Sequence, residues 1–299
     1  MDPKTLFLAT RPWSFTMTFS SVTIGTLIAF LAGSFNLVLY LIVFSGMVAF
    51  HAATNLINDF YDVKHGVDRM GAPTTKYRPH PVAAGLEQPG TIRFWAAIFY
   101  GVTLLAALYL SFVRGPWVLG LAGLGIVGSF LYTADPVVLK ARGLGEITVF
   151  LMWGPLIPLG AYLVQTGAIS VVPIILAIPI GLLVALVLLA NNIRDIEYDG
   201  SVGVKTVPVL LGRGGGSRLY RLLLLLTYLF VPASILAGLL PLWSLVVLVT
   251  VPEALSLSKM FSGDIPDNAD PRTAGLALKF SVLYMAALIA QIFMPNLLP

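Results

Sequence analysis

Nine apolar stretches, each close to the length of a membrane-spanning helix, limit what this chain can fold into. A helix needs about 20 mostly apolar residues to cross the hydrocarbon core of a bilayer. Hydrophobic residues make up 58% of the chain and charged residues only 11%, which is too little charge to cover a water-soluble surface. The sequence therefore predicts an all-α integral membrane protein with nine transmembrane helices in one domain, residues 1–299. The nine predicted spans are 13–33, 37–58, 91–113, 116–134, 144–166, 169–193, 219–240, 242–260 and 274–298.

The basic residues predict how these spans are oriented. All but one of the 18 Lys and Arg residues fall on the same side of the predicted membrane, and the exception is Arg114. Because Lys and Arg are enriched in cytoplasmic connections, we predict a cytoplasmic N-terminus and an outside C-terminus. Two long cytoplasmic loops, about 63–90 and 194–218, carry much of the charge. A multi-pass protein of the cell membrane is expected, in contact with lipid. The positive net charge follows from topology, so no nucleic-acid partner is expected, and no obligate protein partner is visible.

Carboxylates gather where the second and sixth spans meet these two loops. The first cluster is Asn58, Asp59, Asp62 and Asp68, and the second is Asn191, Asp195 and Asp199. Residues four apart lie on one face of a helix, so each half of the chain presents an Asn-x-x-x-Asp pair at the cytoplasmic end of a span. The positive-inside rule does not require this, since acidic residues contribute little to topology.

The two clusters predict a divalent cation. Carboxylates at the edge of a membrane are costly unless they are paired or bind a metal. The chain has no cysteine, and ligand sets made of carboxylate and amide oxygens favour Mg²⁺ over zinc. Since Mg²⁺ commonly completes its coordination with substrate phosphate oxygens, and basic side chains lie in the same loops, a diphosphate is the expected ligand. We place this active site at the cytoplasmic end of a central apolar cavity.

These residues resemble the motifs of the UbiA superfamily of intramembrane prenyltransferases. The family's first motif, Asn-Asp-x-x-Asp-x-x-x-Asp, is similar to the run from Asn58 to Asp62, and its second, Asp-x-x-x-Asp, to the run from Asp195 to Asp199. Its basic-proline segment resembles the residues from Arg78 to Gly85, and its tyrosine–lysine element resembles Tyr132 and Lys140. The resemblance covers essentially the whole chain.

The first motif departs from the family pattern in one place. Its last Asp would fall at Gly66, but the next carboxylate is Asp68, which leaves open whether Asp59 or Asp68 completes the first metal site. This longer spacing, together with Gly203-x-Lys-Thr206 after the second motif, resembles the MenA branch. Members of that branch prenylate 1,4-dihydroxy-2-naphthoate in menaquinone biosynthesis.

The resemblance implies Mg²⁺-dependent ionisation of an allylic prenyl diphosphate and capture of the allylic cation by an electron-rich acceptor. It implies two Mg²⁺ ions bridged by diphosphate, with Asn58, Asp62, Asp68, Asp195 and Asp199 as the metal ligands. Diphosphate contacts are then expected from Arg78, Lys140, Arg11 and Lys205. Asp62, Asp195 and Asp199 are expected to be catalytic together with Tyr132, which holds the leaving group by its hydroxyl or shields the cation with its ring.

Other functions stay open. Within the same chemistry, the acceptor could be geranylgeranylglyceryl phosphate, as in archaeal lipid synthesis, 4-hydroxybenzoate or haem. Outside it, the main alternative is a secondary transporter, but transporters bind their substrates near the bilayer midplane, whereas charge here lies at one face of the membrane.

Four further features are predicted to be structural. We expect His51 to be a packed, hydrogen-bonded histidine, and Glu253 to line the cavity or pair inside the bundle. The acidic connection 264–270 is predicted to be a solvated turn, and the glycine-rich segment from Arg213 to Ser217 a flexible link.

Overall fold

The computed structural model describes residues 1–293 and is helical. Within that range seven helices are long and apolar enough to cross a membrane, and no strand forms, so the prediction of an all-α membrane protein is confirmed. Two other predicted spans are shorter apolar helices, Trp117–Thr133 and Ile178–Arg194. The helices are α1 (Pro3–Ala9), α2 (Pro12–Leu31), α3 (Leu37–Lys64), α4 (Thr74–Tyr77), α5 (Pro89–Arg114), α6 (Trp117–Thr133), α7 (Gly145–Thr166), α8 (Val172–Leu176), α9 (Ile178–Arg194), α10 (Ile196–Ser201), α11 (Val207–Leu236), α12 (Leu242–Met260) and α13 (Ala269–Phe293).

The second charged connection is shorter and more helical than predicted. Helix α11 begins at Val207, so the segment from Arg213 to Ser217 is helical and the prediction of a flexible link is wrong. Pro208 in its first turn suits a helix start, where the missing N–H is not needed. The helix bends at Gly212, whose φ of 71° is open to glycine at little cost.

Helices α2 and α9 are central to the bundle. Helix α2 packs against α3, α7 and α13, while α9 packs against α7, α11 and α13. One apolar core joins α2 and α9 to the last three helices, with Ile24, Leu183 and Tyr284 fully buried or nearly so. A second core joins α2 to α3, α5, α6 and α7 around Val43 and Val164. Because α3 and α9 both end in a charged motif, this packing sets the positions of the two clusters.

An apolar pocket lies between α3, α5, α6 and α7. Its lining includes Phe50 and Gly46 on α3, Ala107 on α5, Gly125 on α6 and Met152 on α7. The first charged cluster lies farther along α3, since Asn58 is about 12 Å beyond Phe50 at the rise of an α-helix. The bundle therefore has apolar space behind its polar end.

Candidate active site

Four of the predicted site residues meet at the end of α3. Asn58 and Asp62 share one face of the helix, and the Asn58 amide donates a hydrogen bond of 2.8 Å to Asp62. Lys140, on a short turn after α6, donates to the amide oxygen of Asn58 at 2.6 Å and forms an ion pair with Asp62. Its ammonium lies 5.9 Å from the ring centroid of Tyr132. This group combines carboxylate, amide, ammonium and aromatic ring.

The second motif faces the first. The charges of Asp62 and Lys140 act on Asp199, which follows α9 on the short helix α10. Burial, and then the negative charge of Asp195, raise the pKa of Asp199 to about 7. The hydroxyl of Tyr198 donates a hydrogen bond of 2.6 Å to the carbonyl of Val67, which ties α10 to the loop after α3. A cation between the motifs would relieve the repulsion between their carboxylates.

Asp195 is held by its neighbour Arg194. The guanidinium donates to both carboxylate oxygens of Asp195 at 2.7 Å and to the amide oxygen of Asn191 at 2.9 Å. Arg194 also pairs with Asp270 and donates to the carbonyl of Asp267 at 3.1 Å. The prediction that residues 264–270 form only a solvated turn is therefore wrong for Asp270, because that carboxylate anchors the second motif to α13.

Asp59 is the counter-ion of two predicted diphosphate contacts. It is fully buried, accepts a hydrogen bond of 2.7 Å from Arg78 and forms an ion pair with Arg11. Arg78 is itself 4% exposed, and its Nε and Nη1 atoms are buried without a hydrogen-bond partner among residues 1–293. The Asp59 carboxylate thus sets two arginines at the edge of the site.

Asp68 is fixed within its own loop. The Nδ1 atom of His80 accepts from the amide of Ala83 at 3.1 Å, so Nε2 carries the ring hydrogen and donates to Asp68 at 3.0 Å. Burial by itself raises the pKa of Asp68, but hydrogen bonds from His80 and Thr74 outweigh it and bring the pKa to about 2. Asp59, Asp68 and His80 each offer one atom that could bind a metal, and these three atoms lie within 4.8 Å of one another. Because the ring hydrogen of His80 lies on the nitrogen that faces Asp68, the cluster is a hydrogen-bonded network.

Lys205 is not brought into this group of side chains. Its backbone amide donates to the carbonyl of Ala141 at 3.2 Å, beside the turn that carries Lys140, while its side chain is exposed. Of the four predicted diphosphate contacts, Lys205 is therefore the one that the fold leaves at the surface.

Glu146, at the start of α7, is a site group that sequence reasoning missed. It is 5% exposed, and its Oε1 atom accepts a hydrogen bond of 2.9 Å from Asn192 on α9. Its Oε2 atom is buried and has no hydrogen-bond partner in the described part of the chain. The charge of Glu146 acts on Tyr132, so the carboxylate lies beside the main cluster. The only signal in the sequence was a lone acid at the start of a span.

Of the two remaining predictions about polar residues in the spans, one agrees with the structure. His51 is 6% exposed and hydrogen-bonded to the hydroxyl of Thr18 at 2.8 Å, as expected for a packed histidine. Glu253 is half-buried and pairs with Lys279 at 2.8 Å, but the Lys279 side chain is 61% exposed, so this ion pair lies at the surface of the bundle and not inside it.

The family comparison covers most of the chain. Residues 18–287 match the model of the UbiA prenyltransferase family. The UbiA prenyltransferase domain-containing protein 1 of Xenopus tropicalis is 33% identical over 289 residues, covering 95% of this chain and 81% of that protein. The 1,4-dihydroxy-2-naphthoate octaprenyltransferase of Bacillus subtilis (strain 168) is 32% identical over 265 residues, covering 88% of this chain and 84% of that one.

Solved structures share the fold at lower sequence identity. An apo UbiA homologue from Aeropyrum pernix K1 has a TM-score of 0.73 at 19% identity, covering 92% of this chain and 97% of that one. A UbiA homologue from Archaeoglobus fulgidus bound to GPP and Mg²⁺ has a TM-score of 0.64 at 17% identity, covering 97% of this chain and 100% of that one.

Proposed function

The chain belongs to the UbiA prenyltransferase family, and from this premise we propose that it transfers a prenyl group from an allylic prenyl diphosphate to a hydroxylated aromatic acceptor. The acceptor we propose is 1,4-dihydroxy-2-naphthoate, in menaquinone biosynthesis, because a relative of that name is 32% identical to the chain. One observation carries the proposal: Asn58 and Asp62 from the first motif face Asp199 from the second, with Lys140 beside them.

The donor atoms of this group suit Mg²⁺. They are carboxylate and amide oxygens, the ligand class that Mg²⁺ prefers, and the half-buried carboxylate of Asp199 gains from a nearby positive charge. Bound Mg²⁺ would neutralise the diphosphate and polarise its bond to the prenyl carbon. The residues that we propose would hold Mg²⁺ are Asn58, Asp62, Asp68, Asp195 and Asp199.

The basic residues are proposed to bind and stabilise the leaving diphosphate. As the carbon–oxygen bond breaks, negative charge develops on diphosphate, and fixed cationic donors stabilise it without having to reorganise. Lys140 lies within the cluster, and Arg78 has two buried N–H groups without a partner in the described structure. Arg11 and Lys205 are the other two proposed contacts. The ring of Tyr132 lies under the ammonium of Lys140, and the face of this ring is proposed to shield the allylic cation.

Glu146 is our proposed contact for the acceptor. A hydroxylated ring becomes a better nucleophile when its hydroxyl donates a hydrogen bond to a carboxylate, because electron density moves into the ring. The Oε2 atom of Glu146 is buried beside Tyr132 without a partner among the described residues. The new bond joins the prenyl carbon to a ring carbon of the acceptor, and diphosphate departs with the electrons of the broken carbon–oxygen bond. The ring carbon then releases its proton, or its carboxyl group as CO2, which restores the aromatic ring.

The membrane arrangement belongs to the same proposal. Helices α6 and α9, each 17 residues long, reach about 25 Å, close to the hydrocarbon thickness of a bilayer. With them the chain has nine spans, a cytoplasmic N-terminus and a C-terminus on the other side of the cell membrane. The site then opens to the cytoplasm, and the apolar pocket between α3 and α7 lies within the bilayer.

The test is a product assay on the purified protein in detergent. Mg²⁺, geranylgeranyl diphosphate and 1,4-dihydroxy-2-naphthoate are supplied with and without EDTA, and the prenylated product is identified by mass. We expect a product that EDTA abolishes. If product forms only with 4-hydroxybenzoate or geranylgeranylglyceryl phosphate, that compound is the acceptor in place of 1,4-dihydroxy-2-naphthoate. If prenyl diphosphate does not bind with Mg²⁺ and the protein takes up a solute in proteoliposomes, the protein is a transporter and the proposed enzymatic function is wrong.

A further inference from the structure

Helix α3 carries a second polar stripe beside its metal-binding face. His51, Asn55 and Asp59 are spaced by four residues, so they follow one face of the helix. All three contact the segment that joins α1 to α2 or the start of α2 itself. Asn58 and Asp62 lie on the neighbouring face, toward Lys140. One helix therefore serves both the proposed metal site and the chain segment that passes over it.

The contacts of the stripe are hydrogen bonds to residues 10–18. Asn55 donates to the carbonyl of Thr10 at 2.8 Å and to the hydroxyl of Ser14 at 3.4 Å. The two ring nitrogens of His51 lie 3.2 Å from the Ser14 hydroxyl and 2.8 Å from the Thr18 hydroxyl. Two side chains and one backbone carbonyl of residues 10–18 thus form hydrogen bonds with two side chains of α3.

Hydrogen-bond accounting gives this network a direction. The Ser14 hydroxyl has one hydrogen and donates it to the carbonyl of Arg11 at 2.7 Å, so its oxygen accepts from Nε2 of His51. The other ring nitrogen, Nδ1, then accepts from Thr18. A neutral His51 with its hydrogen on Nε2 satisfies every contact. The network runs from His51 through Ser14 to the backbone of Arg11.

Arg11 needs this support because its backbone is strained. Its φ of 55° and ψ of 59° lie in the left-handed region, which residues with a Cβ seldom occupy. Such a conformation persists only when the surrounding structure determines it, and it is often found at functional sites. Here Ser14 holds the carbonyl of Arg11 and the buried Asp59 holds its guanidinium.

We propose that the stripe of His51, Asn55 and Asp59 is a positioning device that fixes Arg11 over the diphosphate site. The proposal rests on the proposed function, since the diphosphate contact of Arg11 belongs to it. Arg11 pairs with Asp59, the residue next to Asn58, and its charge acts on the carboxylates of Asp62 and Asp68, so the guanidinium lies near the proposed metal site. His51 is thus a positioning residue that acts on diphosphate through Ser14 and Arg11.

The test compares His51→Leu with His51→Gln. Leucine removes both hydrogen bonds of the ring, whereas glutamine keeps an N–H donor at the end of a side chain of similar reach. We expect His51→Leu to raise the KM for prenyl diphosphate about tenfold, the effect of weakening one hydrogen bond to a charged group, with the KM for the acceptor unchanged. His51→Gln is expected to recover most of this loss.

A matched control lies in the contact between α8 and α13. The buried hydroxyl of Tyr284 on α13 donates to the carbonyl of Leu176 at 2.9 Å, and both residues are far along the chain from residues 10–18. Tyr284→Phe removes a buried hydrogen bond of the same kind. It is expected to lower the melting temperature and leave the KM for prenyl diphosphate unchanged.

Two outcomes would overturn the proposal. One is a His51→Leu protein that loses melting temperature as Tyr284→Phe does while its KM for prenyl diphosphate stays normal. The other outcome applies if His51→Leu does not fold. Ser14→Ala breaks the same connection outside the spans' apolar core, and a normal KM for prenyl diphosphate in Ser14→Ala would then overturn the proposal. Failure of the proposed function differs from both, because the unaltered protein would then bind no prenyl diphosphate with Mg²⁺.

Discussion

Two aspartates one turn apart on α3 have different surroundings. Asp59 is fully buried and pairs with Arg11 and Arg78, whereas Asp62 faces Asn58 and Lys140 at the proposed metal site. The sequence showed both as members of one motif and left open which of Asp59 and Asp68 completes the metal site. The structure gives Asp59 two guanidinium partners, so its contribution is to the placement of those arginines.

Substitution separates these two roles. Asp59→Asn leaves two arginines without their buried counter-ion, so we expect it to destabilise the protein by about 3–5 kcal/mol. Asp62→Asn leaves Lys140 its contact with Asn58, so we expect a melting temperature close to that of the unaltered protein but no turnover. Thermal unfolding in detergent and product formation measure the two effects. An active Asp62→Asn protein under saturating Mg²⁺ would contradict the assignment.

Glu146 gives a second prediction at this scale. Glu146→Gln keeps the size of the side chain but replaces the proposed hydrogen-bond acceptor by an amide. We expect kcat/KM for the acceptor to fall about tenfold to a hundredfold, with binding of prenyl diphosphate unchanged. Steady-state kinetics with each substrate varied in turn measure this.

Glu253→Gln is the matched control for Glu146→Gln. The same substitution can be made at Glu253 on α12, where the carboxylate pairs with Lys279. We expect it to leave both kinetic constants unchanged. Equal losses in the two variants, or a Glu146→Gln protein with a weakened affinity for prenyl diphosphate alone, would remove the acceptor role.

At the level of helices, local signals in the sequence were sufficient for the all-helical membrane fold and for the two motifs. Apolar length predicts a helix because an unpaired backbone is too costly in lipid, and four-residue spacing then predicts which side chains share a face. The contact between Arg194 and Asp270 had no such signal, because it joins two helices far apart in the sequence. The hydrogen bond from His80 to Asp68 depends on the fold of one loop and on which ring nitrogen carries the hydrogen.

Helix packing gives the third prediction. Helices α7 and α9 cross where Gly154 meets Gly181, and a Cβ added to Gly181 would lie 2.7 Å from the Cα of Gly154 and 2.9 Å from the carbonyl of Phe150. Gly181→Ala therefore pushes apart the two helices that carry Glu146 and Asn192. We expect the free energy of unfolding to fall by about 1–3 kcal/mol, as is typical of overpacking. This loss is measured as a lower melting temperature, and we expect activity to be reduced as well.

The control for this crossing is a glycine on an open helix face. A Cβ added to Gly120, on α6, meets nothing within 4 Å in the part of the chain that the structure describes. We expect Gly120→Ala to leave melting temperature and activity unchanged. If Gly181→Ala behaves in the same way, the close approach of α7 and α9 is not required.

In the whole molecule, the two motifs come together only because α2 and α9 hold both halves of the bundle. The sequence patterns were enough to predict a site between the halves, since two matched clusters at the ends of two spans suggest one shared ligand. These patterns could not supply the partners of Asp59, Arg194 and Glu146, because those side chains find their partners across helices. Mg²⁺ binding is therefore expected to depend on the folded bundle and to stabilise it.

The fourth prediction measures that coupling. A ligand that binds only the folded state stabilises it by about 2.7 kcal/mol at a hundred times its dissociation constant. We expect Mg²⁺ with pyrophosphate to raise the melting temperature and EDTA to reverse the rise. Asp199→Asn, which removes a half-buried carboxylate facing Asp62, should abolish most of the shift, whereas Asp264→Asn, at an exposed position, should retain it. An undiminished shift in Asp199→Asn would mean that the cation binds elsewhere, because the two motifs would then not share it.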